Sequence, residues 1–192
     1  PSKIGLGETH REELNKLLSD FGNIKKEEIL AWLDKFTSLN TYEISIPGLK
    51  DPELVPPGQT GMIISYLAEY DLFNEIRKAG WLDEFTVEIE NRMINVLSDS
   101  IYPMLKNKII ARFSFSPLNI ENRVGSSEGA IVGWAFQKMM PVVNKIQISD
   151  RSVFTPIPSI YQAGQWAYSP AGVPMSILTG KLAADKVLKN KK

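Results

Sequence analysis

The residues of this chain best placed to do chemistry lie in the stretch YQAGQWAYSPAGVPMSILTG, residues 161–180. Gly172 and Pro174 come directly before an amphipathic run, so they mark a helix start. Gly172 carries no β-carbon, and a flat ligand can approach its backbone closely. The amides of Gly172 and Val173 would sit at the positive end of the helix, where partial negative charge is stabilised. A plain alternative is a proline-started helix after a turn, and the stretch alone leaves both readings open.

Other candidates carry less. GLGET, residues 5–9, has two glycines at dinucleotide spacing, but His10 replaces the third and no strand precedes it. Gly180-Lys181 lacks the rest of a phosphate loop. His10 is expected on the charged, solvated face of the first helix. The carboxylate pairs Glu12-Glu13 and Glu27-Glu28 are expected in first helical turns, where they suit the macrodipole. Met139 and Met140 line a greasy pocket or fill space. Arg112 and Arg123 anchor a polar substrate end or edge a strand.

The composition narrows the chemistry. The 192 residues hold 22 Lys plus Arg against 22 Asp plus Glu, which argues against a general nucleic-acid binder. With no cysteine and one histidine, disulfides, thiol catalysis, zinc sites and histidine triads are set aside. An apolar share of 43% is enough for a real core in one domain, or one domain plus part of another. No apolar run reaches the roughly 18–20 residues of a membrane span. No signal-peptide pattern opens the chain, and a cytoplasmic location is expected. The opening PSKIGLGETH has no initiator methionine, so a fragment of a longer protein is expected.

These residues need elements to position them. Thr9 and Glu12 fit a capping box, Leu14, Leu17, Leu18 and Phe21 recur at helical spacing, and Gly22 stands at the C-cap. A second helix is expected over 25–36 on Ile29, Trp32, Leu33 and Phe36. Alternation of Tyr42, Ile44 and Ile46 predicts a strand, a proline-rich loop follows, and GMIISYLAEY, residues 61–70, is its pairing partner. The longest helix is expected over 83–104, with Phe85, Ile89, Met93, Val96, Leu97 and Ile101 inward. Ile109, Ala111, Phe113 and Phe115 alternate as a further strand, and a loop then enters a short strand at Trp134. Residues 139–152 read as irregular. The chain closes with a short strand at Tyr161, the glycine loop, and a helix over 174–189 packing Ile177, Leu178, Leu182, Ala184 and Leu188. No internal repeat or low-complexity segment is present, and the final KNKK reads as an exposed helix end.

SIYQAGQWAYSPAGVPMSILTGKLAAD, residues 159–185, resembles the C-terminal flavin motif of the phytoene desaturase-like FAD-dependent oxidoreductases, the carotenoid desaturases and isomerases. The likeness rests on Tyr161, Gly164, Gly172-Val173-Pro174, Thr179-Gly180 and Ala183-Ala184. Upstream, ISIPGLKDPELVPPGQTG resembles the family's strand-loop-strand through Asp51-Pro52, Pro56 or Pro57, and Gly58. EGAIVGW, residues 128–134, resembles its G-x-x-x-G segment, and Thr155-Pro156 its lead into the last strand. These matches keep the family's order over most of residues 40–192.

The resemblance implies an α+β fold, with a mixed or antiparallel sheet carrying helices on one side. Residues 1–150 would be a substrate-domain portion, and 151–192 the terminal strand and helix of a Rossmann-like FAD domain. It implies a flavoprotein acting on an apolar, isoprenoid or polyene substrate. The cofactor FAD would meet Gly164, Gln165, Gly172, Val173 and Pro174, while Trp134, Trp166 and Tyr168 would line substrate or flavin. No catalytic acid or base is identified, and no metal is implied.

Ala171 stands where many relatives have glycine, and Gln165 where flavoproteins often place an acid. The glycine-rich loop that grips the FAD phosphates is absent from these residues, so they are expected neither to retain FAD nor to act alone. Expected partners are the N-terminal half of the same protein, a peripheral membrane contact, and a second copy through exposed apolar surface. The rival reading is a non-catalytic ligand- or partner-binding module on the same scaffold.

Overall fold

The computed structural model describes residues 8–134 and 141–189. Met139, Met140, most of GLGET and the last three residues of KNKK lie outside them. The fold is α+β: helix-rich, with a two-stranded antiparallel sheet. Contacts divide it into two units, one ending at Gly129 and one beginning at Ala130.

The first unit opens with α1 (Glu8–Ser19) and α2 (Lys26–Leu39). Glu28 accepts the Lys25 amide proton at 3.2 Å, closing the start of α2. Its apolar stripe repeats at helical spacing, and Ile29, Trp32, Leu33 and Phe36 are all buried. Trp32 stacks on Phe36 with ring centroids 5.0 Å apart. The hairpin follows as expected: β1 (Glu43–Ser45) pairs antiparallel with β2 (Ile63–Ser65), with Ile44 opposite Ile64. Pro47 ends the ladder, and the connection is two 3₁₀ turns, the second capped by Asp51 accepting from the Glu53 amide at 3.1 Å.

Next come α3 (Tyr70–Lys78), α4 (Leu82–Ser100) and α5 (Pro117–Val124). The core joins α1 and α2 to Leu72, Phe73 and Ile76 of α3, Phe85, Ile89 and Met93 of α4, and Leu118 of α5. Phe85 meets Phe73 and Trp81 edge-on, each with centroids 5.5 Å apart. Tyr70 donates to Glu121 at 2.7 Å, tying α3 to α5.

Several expectations are corrected here. Glu8 already belongs to α1, so Thr9 lies inside the helix and not at its cap. That start moves Glu12 and Glu13 beyond the first turn, and Glu13 pairs with Lys35 at 3.3 Å. Gly22 lies past the end of α1 without the positive φ of a C-cap. His10 is half-buried and not on a fully solvated face: its Nε2 is buried and finds no hydrogen-bond partner among the described residues. α4 stops at Ser100, and Ile101 is exposed. Residues 109–115 form no strand among the described residues, because no neighbouring chain offers them a ladder. Arg112 pairs with Glu90 at 3.1 Å, and Arg123 lies over the Phe115 ring at 5.7 Å. The first part of the segment before Trp134 is helix α5, capped by Ser116 and opened by Pro117, with the Asn119 side chain accepting the Ser116 amide proton at 2.9 Å; a 3₁₀ turn (Ser127–Gly129) and bends, not a strand, lead from it to Trp134.

The hairpin makes a pH prediction. The Tyr42 hydroxyl donates to the Thr37 carbonyl at 2.6 Å. Burial pushes that phenol from the usual 10.0 up to about 12. Tyr66 is raised as well, by burial first and then by the charge of Tyr42 and Glu90. A phenol whose folded pKa is raised contributes fully below the unfolded value and loses its contribution as pH climbs toward the folded one. Thermal melts should therefore hold steady up to pH of about 10 and fall above it. Tyr66→Phe should flatten that alkaline limb; an identical limb in the variant would refute the assignment.

The second unit has little regular structure before its helix. A 3₁₀ segment (Ile146–Arg151) lies between residues that make single bridges, Val143 with Tyr168 and Phe154 with Tyr161, in place of the expected strand at Tyr161. One residue pair at each point is too little for a ladder. The chain closes with α6 (Val173–Lys189). Leu178 and Leu182 are half-buried as expected, but Ile177, Ala184 and Leu188 face outward, and the fully buried residue is Thr179.

Candidate functional site

Gly172 is the residue before α6, with φ 147°, and its carbonyl accepts the Ser176 amide proton at 2.9 Å. Val173 and Pro174 form the first turn, where a missing proline N–H breaks no helical bond. Both are exposed.

One buried hydroxyl ties the preceding turn to this helix. Thr179 Oγ1 accepts the Gly164 amide proton at 3.0 Å. It also lies 2.9 Å from the Met175 carbonyl and 3.1 Å from that of Ser176, to which its own proton is given. Gly164 has φ 95°, and its carbonyl accepts from the Ala167 amide at 3.1 Å, closing a tight turn over Gln165 and Trp166. Gly164 is thereby held against α6 although fifteen residues separate it from Thr179.

The two tryptophans meet on this turn. Trp134 Nε1 donates to the Trp166 carbonyl at 2.9 Å, and the rings stand edge-to-face with centroids 5.4 Å apart. Both remain partly open to solvent. Gly133 makes the approach feasible: a β-carbon there would lie 2.3 Å from the Gln165 carbonyl oxygen and 3.5 Å from the Ala171 methyl. Tyr168 is instead buried, bridged to Val143, while the Ser169 amide donates to the Val143 carbonyl at 3.0 Å.

The structure thus brings Trp134, Gln165 and Trp166 together, and fixes Gly164 to the helix that Gly172, Val173 and Pro174 begin. It places the Tyr168 side chain in the core of the unit. Thr179 and Gly133 were not singled out as position-holding residues. A lone threonine on an otherwise apolar helix face was the available signal for the first; nothing local signals the second, since its contact lies 32 residues away.

Gly133 is constrained by packing, while Gly164 and Gly172 are not. Among the described residues, a β-carbon on Gly164 would meet nothing within 4 Å, and on Gly172 only its own Pro174 ring at 3.9 Å. Both backbones therefore present an open face beside the helix start, as close approach by a planar group requires. None of the residues named for this site carries a formal charge, and no cluster of three metal-ligating side chains exists among the described residues. The arrangement can bind and orient, with amide donors at a helix N-terminus to favour negative charge.

A groove of about 410 Å³ in the same unit is lined by Lys145, Arg151, Phe154 and Gln162 among others, and by none of these glycines. Among the described residues no helix is long and apolar enough to cross a membrane.

No family model matches the chain, and no solved structure does. A Staphylococcus aureus (strain MRSA252) protein, 4,4'-diapophytoene desaturase (4,4'-diaponeurosporene-forming), is 24% identical over 149 residues. The match covers 77% of this chain and 28% of that relative, so the chain spans well under a third of its length. At that level of identity, the chain is distantly related to a carotenoid desaturase.

Proposed function

We propose that this chain is the C-terminal portion of an FAD-dependent oxidoreductase of the phytoene dehydrogenase kind, acting on a long apolar substrate such as an isoprenoid or polyene. The observation that carries the reading is the pair of unobstructed backbone faces at Gly164 and Gly172, joined through Thr179 at the start of α6. The distant desaturase relationship supplies the chemical context. FAD, when bound, supplies the hydride chemistry.

The chain's own residues hold and orient. The amides around Gly172 and Val173 favour the negative charge that gathers on a reduced flavin ring edge. Gly164 and Gln165 meet the ribityl side. Thr179 keeps the two halves of this cradle in register, and the bond and edge-to-face contact between Trp134 and Trp166 brace the turn that carries Gly164. The phosphates are gripped by residues beyond these 192, which contain no G-x-G-x-x-G, so this portion alone neither retains FAD nor turns over substrate.

The test uses the whole natural protein, purified and titrated with FAD while visible absorbance is followed. Bound flavin is expected, and Gly172→Val should weaken its binding at least roughly tenfold, about 1.4 kcal/mol, beyond the stability loss that valine at φ 147° brings by itself, which the melting temperature of the flavin-free protein measures. A folded protein that takes up no FAD, or a Gly172→Val variant that binds it unchanged, would overturn the reading. Flavin-free binding of an apolar ligand would favour the module instead.

A further inference from the structure

The charge of the chain balances as a whole but not along its length. Residues 1–129 hold 14 Lys plus Arg against 20 Asp plus Glu, while residues 130–192 hold 8 against 2. The second unit is therefore basic, and lysines of α6 engage both of its acids. Asp150 pairs with Lys186 at 3.6 Å, and Asp185 with Lys181 at 2.6 Å. Lys145 and Arg151 are left without an ion pair among the described residues.

Those two cations line one groove, of about 410 Å³, and no acidic side chain is among the described residues that line it. Like charges on one concave surface, with no acid beside them, make a positive field that draws an anion. The frame around them is hydrogen-bonded. The Ser152 hydroxyl donates to the Ser149 carbonyl at 2.6 Å, and the Gln162 side-chain amide donates to the Ser152 carbonyl at 2.8 Å. The Gln162 backbone amide donates to the Val153 carbonyl at 2.9 Å. Lys186 also lies over the Phe154 ring at 4.9 Å, which ties the groove's aromatic wall to α6. These contacts fix the backbone beside Arg151 and so limit the ordering that ligand capture costs.

We propose that this groove binds a dianionic phosphate group carried by a small molecule with a short apolar body. Two cations match the charge of about −1.5 to −2 that a phosphate ester carries at neutral pH. The Arg151 guanidinium can take two phosphate oxygens at once, and Lys145 adds a point charge. Asn144 supplies a further amide donor, and Val143 and Ile148 an apolar wall. The volume lies toward the lower end of the roughly 300–1,000 Å³ of small-molecule sites, so the ligand is small. None of the cradle glycines lines the groove. The proposal needs no flavin, so its failure would leave the oxidoreductase reading standing, and the reverse holds too.

Phenyl phosphate is a suitable probe, titrated calorimetrically into the whole natural protein with and without FAD at about 0.15 M salt. Saturable binding at one site per chain is expected, at least roughly fivefold tighter than that of benzoate, which carries a single charge. Arg151→Ala and Lys145→Ala should each weaken it roughly tenfold. Both side chains are exposed, so the melting temperature should hold. Lys181→Ala removes a cation of the same unit that lines no part of the groove, and should leave the affinity unchanged. Absence of saturable binding would overturn the proposal, as would benzoate binding equally well. An equal loss in Lys181→Ala would assign the binding to the general field of the unit and would overturn it too. Displacement of phenyl phosphate by FAD would make the groove part of a flavin site, and the proposal of a separate ligand would fall.

Discussion

Phe85→Ala is expected to destabilise the first unit by about 3–5 kcal/mol, enough to threaten its folding. Phe85 is fully buried at the start of α4. Its ring is the common neighbour of Phe73 on α3 and Trp81 at the α4 N-cap. Truncation removes the transfer free energy of the ring and leaves a cavity between helices that cannot all close on it. It also removes two edge-to-face contacts of about 0.5–1.5 kcal/mol each, which overlap with the burial term and are not simply added. Urea unfolding followed by circular dichroism should show a large drop in midpoint. Ile101→Ala, at an exposed position just past the same helix, should change it by under about 0.5 kcal/mol. Comparable losses at both positions would mean that the core is not centred on Phe85.

The contrast between Phe85 and Ile101 also shows how far periodicity carries. Spacing identified α2, α4 and the β1–β2 pair because each repeats its pattern long enough, or between clear breakers, to declare a face. α3 escaped notice because Tyr70–Lys78 allows little more than two turns, and its N-cap Glu69 makes no side-chain cap. α5 carried its own start signal in Ser116-Pro117 with Asn119, which the alternation just before it obscured. That alternation was real, but a period of two says only that a segment has two faces. Which face is held is decided by Glu90 on another element, and Glu90 takes the polar one. The same limit applies to α6, where the buried position is Thr179 and Ile177 faces out. The glycine cradle was legible as residue types. What holds it together was not, because the Gly164 and Thr179 partnership and the Gly133 and Gln165 approach are tertiary contacts.

Gly133→Ala should be the most damaging small substitution in the second unit. Gly133 has φ 75°, so an alanine there first incurs the left-handed penalty of about 1–2 kcal/mol. Its β-carbon would then lie 2.3 Å from the Gln165 carbonyl oxygen, and the neighbour is backbone that cannot rotate away. Relief requires residues 133–134 to lift off the turn, with overpacking costs of about 1–3 kcal/mol. The Trp134 bond to the Trp166 carbonyl and the ring contact should be lost with it. Near-ultraviolet circular dichroism should lose the tryptophan signal of this pair, and the melting temperature of the unit should fall. Gly164→Ala supplies the decisive comparison. It shares a positive φ of 95°, but none of the described residues comes within 4 Å of its β-carbon position, so only the backbone penalty applies. If the cradle binds FAD, the Gly164 variant should keep the tryptophan signal and lose flavin affinity, while the Gly133 variant loses both. A Gly133 variant with an intact tryptophan signal would refute the close approach. A Gly164 variant with unaltered flavin affinity would leave its glycine as a requirement of the turn alone.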